Sequence, residues 1–114
     1  MDQELKNKYT EMGINVDEAM GRLMNNEGLL TKFLGKFKNS DSFDNLKKAI
    51  ADGDNEAALL HSHTLKGVCG NLSLKTLYEL FSEQVNLYRA GKPEEANGMM
   101  GDIEAAYQKI VDNI

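Results

Sequence analysis

Apolar residues recur at intervals of three and four along most of this chain, and this spacing constrains the fold more than any other feature. The clearest series lies near the C-terminus, at Ala96, Met99, Met100, Ile103, Tyr107, Ile110 and Ile114. A helix turns by about 100° per residue, so residues with this spacing form one stripe along its surface. The alternating pattern of a strand is almost absent, and the chain has a single proline. We therefore predict an all-α fold.

Capping residues and glycines divide the first half of this pattern into helices. Two short helices are predicted first, over residues 2–12 and from Asn15, whose pairing with Glu18 is typical of a helix start. A longer helix is predicted from Asn26 to Ala51. Its apolar stripe keeps its phase through the polar stretch 38–42, so we predict one helix with a weak or kinked middle. A break within that stretch is the alternative.

The second half holds three more predicted helices. Asp54 is placed to cap the first of them, called here the histidine helix because it contains both histidines, which ends at Gly70–Asn71. Ser73 caps the next helix, and Pro93 begins the last. Four long helices with short connections must lie antiparallel to bury their stripes. We expect a single domain, residues 1–114, folded as an up-down-up-down four-helix bundle with two short N-terminal helices capping one end.

Composition restricts the partners and the location. The net charge of −5 argues against nucleic acid, because phosphate backbones are bound by a basic stripe. The longest apolar run is residues 57–60, far short of the roughly 20 needed to cross a bilayer. Charged residues from Asp2 onward interrupt any signal-like start. We expect a cytoplasmic, monomeric protein that binds neither nucleic acid nor membranes, and whose lone Cys69 is an inert core thiol.

The histidine helix has two different faces. The residues within about 60° of His63 are Glu56, Leu59, Leu60, Lys66, Gly67 and Gly70. The residues near the opposite direction are Ala58, His61, Leu65, Val68, Cys69 and Leu72. We therefore expect His61 to pack in the core and His63 to be exposed. Since the two rings point about 200° apart, they cannot bind one ion, and no metal site is predicted.

The exposed face suits capture of a phosphoryl group. A neutral imidazole such as that of His63 is a good nucleophile at physiological pH. Lys66, one turn on, would offset the charge of a bound phosphoryl group. Gly67 costs about 1 kcal/mol within a helix relative to alanine, and its missing side chain leaves one flank of the ring open.

The same face offers a docking surface for a partner protein. Leu59 and Leu60 provide apolar area at its edge, and Gly70 extends the opening by another turn. A small hydrolase with His63 as general base is another hypothesis. No serine or cysteine lies at a suitable spacing on this helix, and a nucleophile from another helix stays open.

The stretch His63-Thr64-Leu65-Lys66-Gly67-Val68-Cys69-Gly70-Asn71-Leu72 resembles the signature of histidine-containing phosphotransfer (HPt) domains of multistep two-component phosphorelays. Residues 13–19 and 74–87 also resemble that family, so the similarity covers nearly the whole chain. The resemblance implies an antiparallel bundle in which His63 accepts a phosphoryl group from a receiver-domain aspartate and passes it to another receiver. Lys66 would steady the phosphoryl group, and Gly67 would give the receiver clearance.

The resemblance also implies which proteins are the partners and which of them supplies catalysis. The partners would be response-regulator receiver domains or a hybrid sensor histidine kinase. The chain would be a phosphocarrier rather than an enzyme, without a cofactor of its own, because the receiver supplies Mg²⁺ and the acidic pocket. The alternative function is a helical adaptor that docks receivers and is never phosphorylated.

Two positions depart from the family pattern. Ser73 stands where the family commonly has glycine, and a serine cap is expected to make the same turn. The position opposite the histidine, often polar in the family, is Val85 by counting. The adjacent Gln84 would reach the ring after a small rotation of the helix, and Arg89, one turn further, is a candidate for the phosphate.

Overall fold

The computed structural model describes residues 1–114 and contains helices but no strands. The eight helical segments are α1 (Gln3–Glu11), α2 (Val16–Arg22), α3 (Glu27–Asn39), α4 (Ser42–Ala51), α5 (Asn55–Asn71), α6 (Lys75–Arg89), α7 (Pro93–Gly98) and α8 (Met100–Val111). Only Met99 separates α7 from α8, so these two continue one another. None of the helices is both long and apolar enough to span a bilayer. The predicted all-α fold is confirmed.

The histidine helix, α5, lies in the middle of the bundle. It packs against α4 on one side and α6 on the other, and α6 also packs against α7 and α8. The connections over residues 52–54, 72–74 and 90–92 are short, so consecutive helices must run antiparallel. The four rods of the bundle are therefore α3–α4, α5, α6 and α7–α8, in a molecule measuring 44 × 23 × 20 Å.

The two N-terminal helices close the end of the bundle where α5 turns into α6. The backbone N–H of Asn15 donates to the carbonyl of Ser73 at 2.8 Å, and that of Thr76 donates to the carbonyl of Gly13 at 3.2 Å. Gly13 has a φ of +84°, and a Cβ there would lie 2.8 Å from Cβ of Thr76. Glycine is therefore required at this contact both by conformation and by space.

The predicted starts of α2, α3, α5 and α7 are confirmed. A side-chain oxygen accepts a backbone N–H in each of three caps: Asn15 from Glu18 at 3.2 Å, Asn26 from Leu29 at 3.1 Å, and Asp54 from Ala57 at 3.0 Å. Each such cap stabilises a helix by about 1 kcal/mol. Pro93 occupies the first turn of α7, also as predicted.

The prediction of one long helix from Asn26 to Ala51 is wrong, and the alternative break is what the structure contains. Ser40 is extended, with φ −72° and ψ 144°, and separates α3 from α4. Its Oγ accepts the backbone N–H of Ser42 at 3.2 Å, a local bond that competes with the helical one. The apolar stripes of α3 and α4 follow one helical period across the break because both helices face the same core.

The turn from α5 to α6 also differs from its prediction. α5 ends at Asn71, as predicted, but Gly70 and Asn71 are both helical and the left-handed residue is Ser73, with φ +56°. The N-cap position of α6 is Leu74, and no side chain caps it. The prediction that Ser73 caps α6 is therefore wrong. Its hydroxyl instead donates to Oε1 of Glu18 at 2.9 Å and ties the turn to α2.

Substitutions at Ser73 should separate backbone strain from hydrogen bonding. A left-handed residue other than glycine costs roughly 1–2 kcal/mol, and a typical hydrogen bond stabilises by about 1 kcal/mol. Ser73→Gly loses the bond but relieves the strain, so its stability should stay within about 1 kcal/mol of wild type. Ser73→Ala keeps the strain and loses the bond, so it should be about 1 kcal/mol less stable than wild type.

Urea unfolding followed by circular dichroism measures both values. The glycine variant should be the more stable of the two. An alanine variant at least as stable as the glycine variant would contradict the strain assigned to Ser73.

Candidate functional site

His63 lies on the exposed side of α5, between two grooves that it helps to line. The first, called here the C-terminal groove, runs along the C-terminal half of α5 beside α2 and the start of α6 and encloses about 660 Å³. The second, called the N-terminal groove, lies beside the first turns of α5 and the end of α6 and encloses about 520 Å³. A group attached to the ring is thus reachable from both sides.

The C-terminal groove provides positive charge next to His63. Its basic lining residues are Arg22, Lys66 and Lys75, and its acidic ones are Glu18 and Glu79. Arg22 is paired with Glu18 at 3.2 Å. Lys66 and Lys75 take part in none of the ion pairs of the chain, so their charges are available to an anion.

The N-terminal groove combines apolar area with one arginine. It contains Leu59, Leu60 and Arg89 together with His63. Leu60 is 63% exposed, so its side chain adds apolar area to the surface of this groove. Arg89 ends α6, and because α5 and α6 are antiparallel, that end lies beside the beginning of α5. The structure therefore brings Arg89 into the groove that His63 shares.

The two glycines of the histidine face have different surroundings. A Cβ at Gly67 would meet no atom within 4 Å, so this flank of the helix opens to solvent. A Cβ at Gly70 would lie 3.2 Å from both Cδ2 and Cε2 of Tyr78. The space expected at Gly70 is therefore occupied by the Tyr78 ring, which is itself 41% exposed.

The core face of α5 is rotated relative to its prediction. The buried residues of α5 are Ala58, Ser62, Leu65 and Cys69. Their mean direction is about 130° from His63, rather than the 180° expected from the apolar residues. The expectation that His61 and Val68 face the core is wrong, because His61 is half-buried at the edge and Val68 is 38% exposed.

The rotation brings a polar residue, Ser62, into the core, where Gln84 is its partner. The Ser62 hydroxyl donates to Oε1 of Gln84 at 2.7 Å, and Nε2 of Gln84 donates to the Ala96 carbonyl at 3.1 Å. Sδ of Met100 lies 3.3 Å from the same nitrogen. Ser62 and Gln84 are fully buried, and no buried side-chain nitrogen or oxygen lacks a partner. The bonds link α5, α6 and α7.

This network accounts for the Gln84 amide. All its hydrogen bonds are made inside the core, and none reaches His63. The small rotation that would have turned Gln84 toward the histidine ring does not occur. Val85, the next residue, is also fully buried. The polar groups that do share a groove with His63 are those of Lys66 and Arg89.

Cys69 is packed in the core, as predicted. It is fully buried, and burial raises the pKa of its thiol far above the usual range. A thiolate, which is the reactive form of cysteine, is therefore strongly disfavoured in the folded chain. No three histidine, cysteine, aspartate or glutamate side chains cluster as a metal site would require.

Sequence reasoning missed three residues of the C-terminal groove, Arg22, Lys75 and Tyr78. They belong to α2 and α6, and their approach to α5 depends on how the helices pack. One local signal was present, because a glycine inside a helix, such as Gly70, often marks the close approach of a neighbouring group. That signal points to a contact but does not name Tyr78 as the neighbour.

Comparison with known proteins gave one match. A family model described as Hpt domain matches residues 30–113, which include most of α3 and all of α4 to α8. Searches of curated proteins and of solved structures gave no match. The matched range contains His63 and both helices that Ser62 and Gln84 join.

Gln84→Met should show how far the buried bonds hold the bundle together. Methionine has a similar volume but leaves the Ser62 hydroxyl and the Ala96 carbonyl without their partner, which costs about 1–3 kcal/mol. Ser62→Ala should cost about 1 kcal/mol. The double variant should be less destabilised than the sum of the two, since it no longer contains an unpaired buried hydroxyl. Urea unfolding measures this coupling, and strict additivity would contradict it.

Alkylation should report the burial of Cys69. At pH 8 an exposed thiol with a pKa of about 8.5 reacts readily with iodoacetamide. In the folded chain Cys69 should react only through transiently unfolded molecules, and in denaturing urea it should react completely. Mass spectrometry gives the modified fraction, and rapid alkylation of the folded chain would contradict the assigned packing.

Proposed function

We propose that this chain, which belongs to the Hpt domain family, is a phosphorelay intermediate whose phosphorylated residue is His63. Hpt domains carry phosphoryl groups in two-component signalling. The observation that carries the assignment is the position of His63, exposed between two grooves and flanked by an unpaired lysine and the open space at Gly67. His63 would receive the phosphoryl group from the aspartate of one receiver domain and pass it to another.

The transfer is a displacement at phosphorus. The lone pair of the unprotonated imidazole nitrogen of His63 attacks the phosphorus of the aspartyl phosphate. A P–N bond forms as the P–O bond to aspartate breaks, and the bonding electrons leave with the carboxylate. The proton on the other ring nitrogen can then pass to solvent. Transfer to the second receiver is the reverse step with a new carboxylate, so no oxidant, reductant or further reactant is consumed.

Lys66 and Arg89 would act on the charge of the phosphoryl group from its two sides. Lys66 lines the C-terminal groove and Arg89 the N-terminal groove, and neither is neutralised by an ion pair. A positive group already in place when charge develops lowers the barrier because it needs no reorganisation. Lys66 is the closer candidate, since it lies one turn from His63 on the same helix.

The receiver would dock over the His63 face. Leu59 and Leu60 supply apolar area on one side, and Gly67 allows a second protein surface to approach the ring. The receiver would contribute Mg²⁺ and its acidic pocket, so this chain needs no cofactor of its own.

Phosphotransfer from a labelled receiver domain tests the assignment. Wild-type chain should acquire an acid-labile, alkali-stable label, as expected for phosphohistidine. His63→Gln should abolish the label because it removes the nucleophilic nitrogen. His61→Gln is the matched control, since it removes a histidine two positions away that lies at the edge of the core, and it should keep the label.

The labelling results distinguish phosphotransfer through His63 from the alternative hypotheses. Label lost with His61→Gln and kept with His63→Gln would overturn the site assignment. An adaptor would instead be supported if wild type and His63→Gln bind receivers equally well and wild type is never labelled. Circular dichroism of both variants checks that each is folded.

A further inference from the structure

Tyr78 occupies an unusual position beside the proposed phosphorylation site. It lies in the first turn of α6, lines the same groove as His63, and is 41% exposed. Its ring covers Gly70 of α5, and Nζ of Lys66 lies 6.0 Å from the ring centroid. The ring is therefore in contact with the helix that carries His63 and within range of the lysine one turn away.

We propose that Tyr78 is a positioning residue for Lys66. The face of its ring attracts the ammonium group and holds it on the side of α5 where a phosphoryl group on His63 would arrive. This inference rests on the proposed function, because Lys66 has a target to be positioned for only if His63 is phosphorylated. Tyr78 does not itself touch the reacting atoms in this assignment.

The amine of Lys66 has no other partner in the chain. It takes part in no ion pair and no hydrogen bond, and the aromatic ring is the one group recorded against it. The acidic residues that line the same groove are Glu18 and Glu79, and Glu18 is engaged with Arg22. An ion pair would hold Lys66 in place but would also neutralise it. The ring restricts the side chain and leaves its charge free for an anion.

Holding the Lys66 side chain in place before the reaction should increase the rate of phosphoryl transfer to His63. A free lysine has a long side chain with many rotamers and loses that freedom when it binds a phosphoryl group. A lysine already held on the correct side loses less, so more of its attraction appears as transition-state stabilisation.

Gly70 provides the recess that the ring occupies. Two ring carbons would lie 3.2 Å from an added Cβ, closer than ordinary contact, so alanine there would displace the ring. Since Gly70 is helical and does not end α5, the close approach of Tyr78 is the structural reason found for glycine at this position. The Nζ of Lys66 lies over the ring face of Tyr78, so the positioning role belongs to the ring and not to the hydroxyl.

Phosphoramidate tests the role without requiring the natural receiver. It transfers its phosphoryl group to the imidazole nitrogen and releases ammonia, so the labelling rate reports on His63 and its neighbours. A cation–π contact at a partly exposed site corresponds to roughly a two- to fivefold change in rate. Tyr78→Leu should slow labelling by about that factor, and the matched Tyr78→Phe, which keeps the ring, should label at the wild-type rate.

A lysine-deficient background shows whether Tyr78 acts through Lys66. In Lys66→Gln, the further change Tyr78→Leu should have no additional effect on the labelling rate. Equal rates for the leucine and phenylalanine variants, or an undiminished effect of Tyr78→Leu without Lys66, would overturn the positioning role. A wild-type chain that takes no label at His63 would overturn the proposed function, and the positioning role with it.

NMR gives a readout that does not depend on phosphorylation. The ε-methylene protons of Lys66 should be shifted upfield by the ring in wild type and in Tyr78→Phe, and should return to ordinary values in Tyr78→Leu. Unshifted protons in wild type would contradict the contact even if His63 is phosphorylated as proposed.

Discussion

The hydrogen bond between Ser62 and Gln84 sets how α5 is turned about its own axis, and the site depends on that setting. A fully buried hydroxyl needs a partner, and Ser62 has one in Gln84 because it faces α6. The next residue along the helix, His63, then points away from the core by the turn of about 100° between neighbours. Rotation of α5 by one residue would turn the imidazole inward and take the Ser62 hydroxyl away from Oε1 of Gln84. The core bond and the exposed histidine are thus two results of one helix orientation.

The features that could be predicted from the sequence are those fixed by residues close together along it. Asn26 and Asp54 were identified as caps because a cap joins a side chain to a backbone N–H three residues away. The all-α fold followed from stripes repeated within each helix. The exposed direction of His63 followed from the same local geometry. Each of these needs only the helix period and the preferences of individual residues.

The features that were missed depend on contacts between residues far apart in the chain. Ser73 was expected to cap α6, but its hydroxyl bonds to Glu18, 55 positions earlier. Gln84 was considered for the histidine ring, yet its amide belongs to a core network that sequence does not reveal. Ser62 lies about 100° from His63 around α5, between the two faces that the helical period defines, so the sequence pattern does not assign it to the core. Only packing shows that Ser62 and Gln84 satisfy each other.

The side chains on the inner side of α5 are packed and hydrogen-bonded, whereas several on the outer side have no such partners. On the inner side, side chains are closely packed and every buried polar atom has a partner. On the outer side lie an exposed leucine, Leu60, a lysine without an ion pair, and Gly67, which costs about 1 kcal/mol relative to alanine. None of these three residues is buried in the core, and all three lie about one turn from His63. A helix that only supported the fold would have no reason to place them together, whereas a surface that receives a phosphoryl group and a partner protein needs each of them.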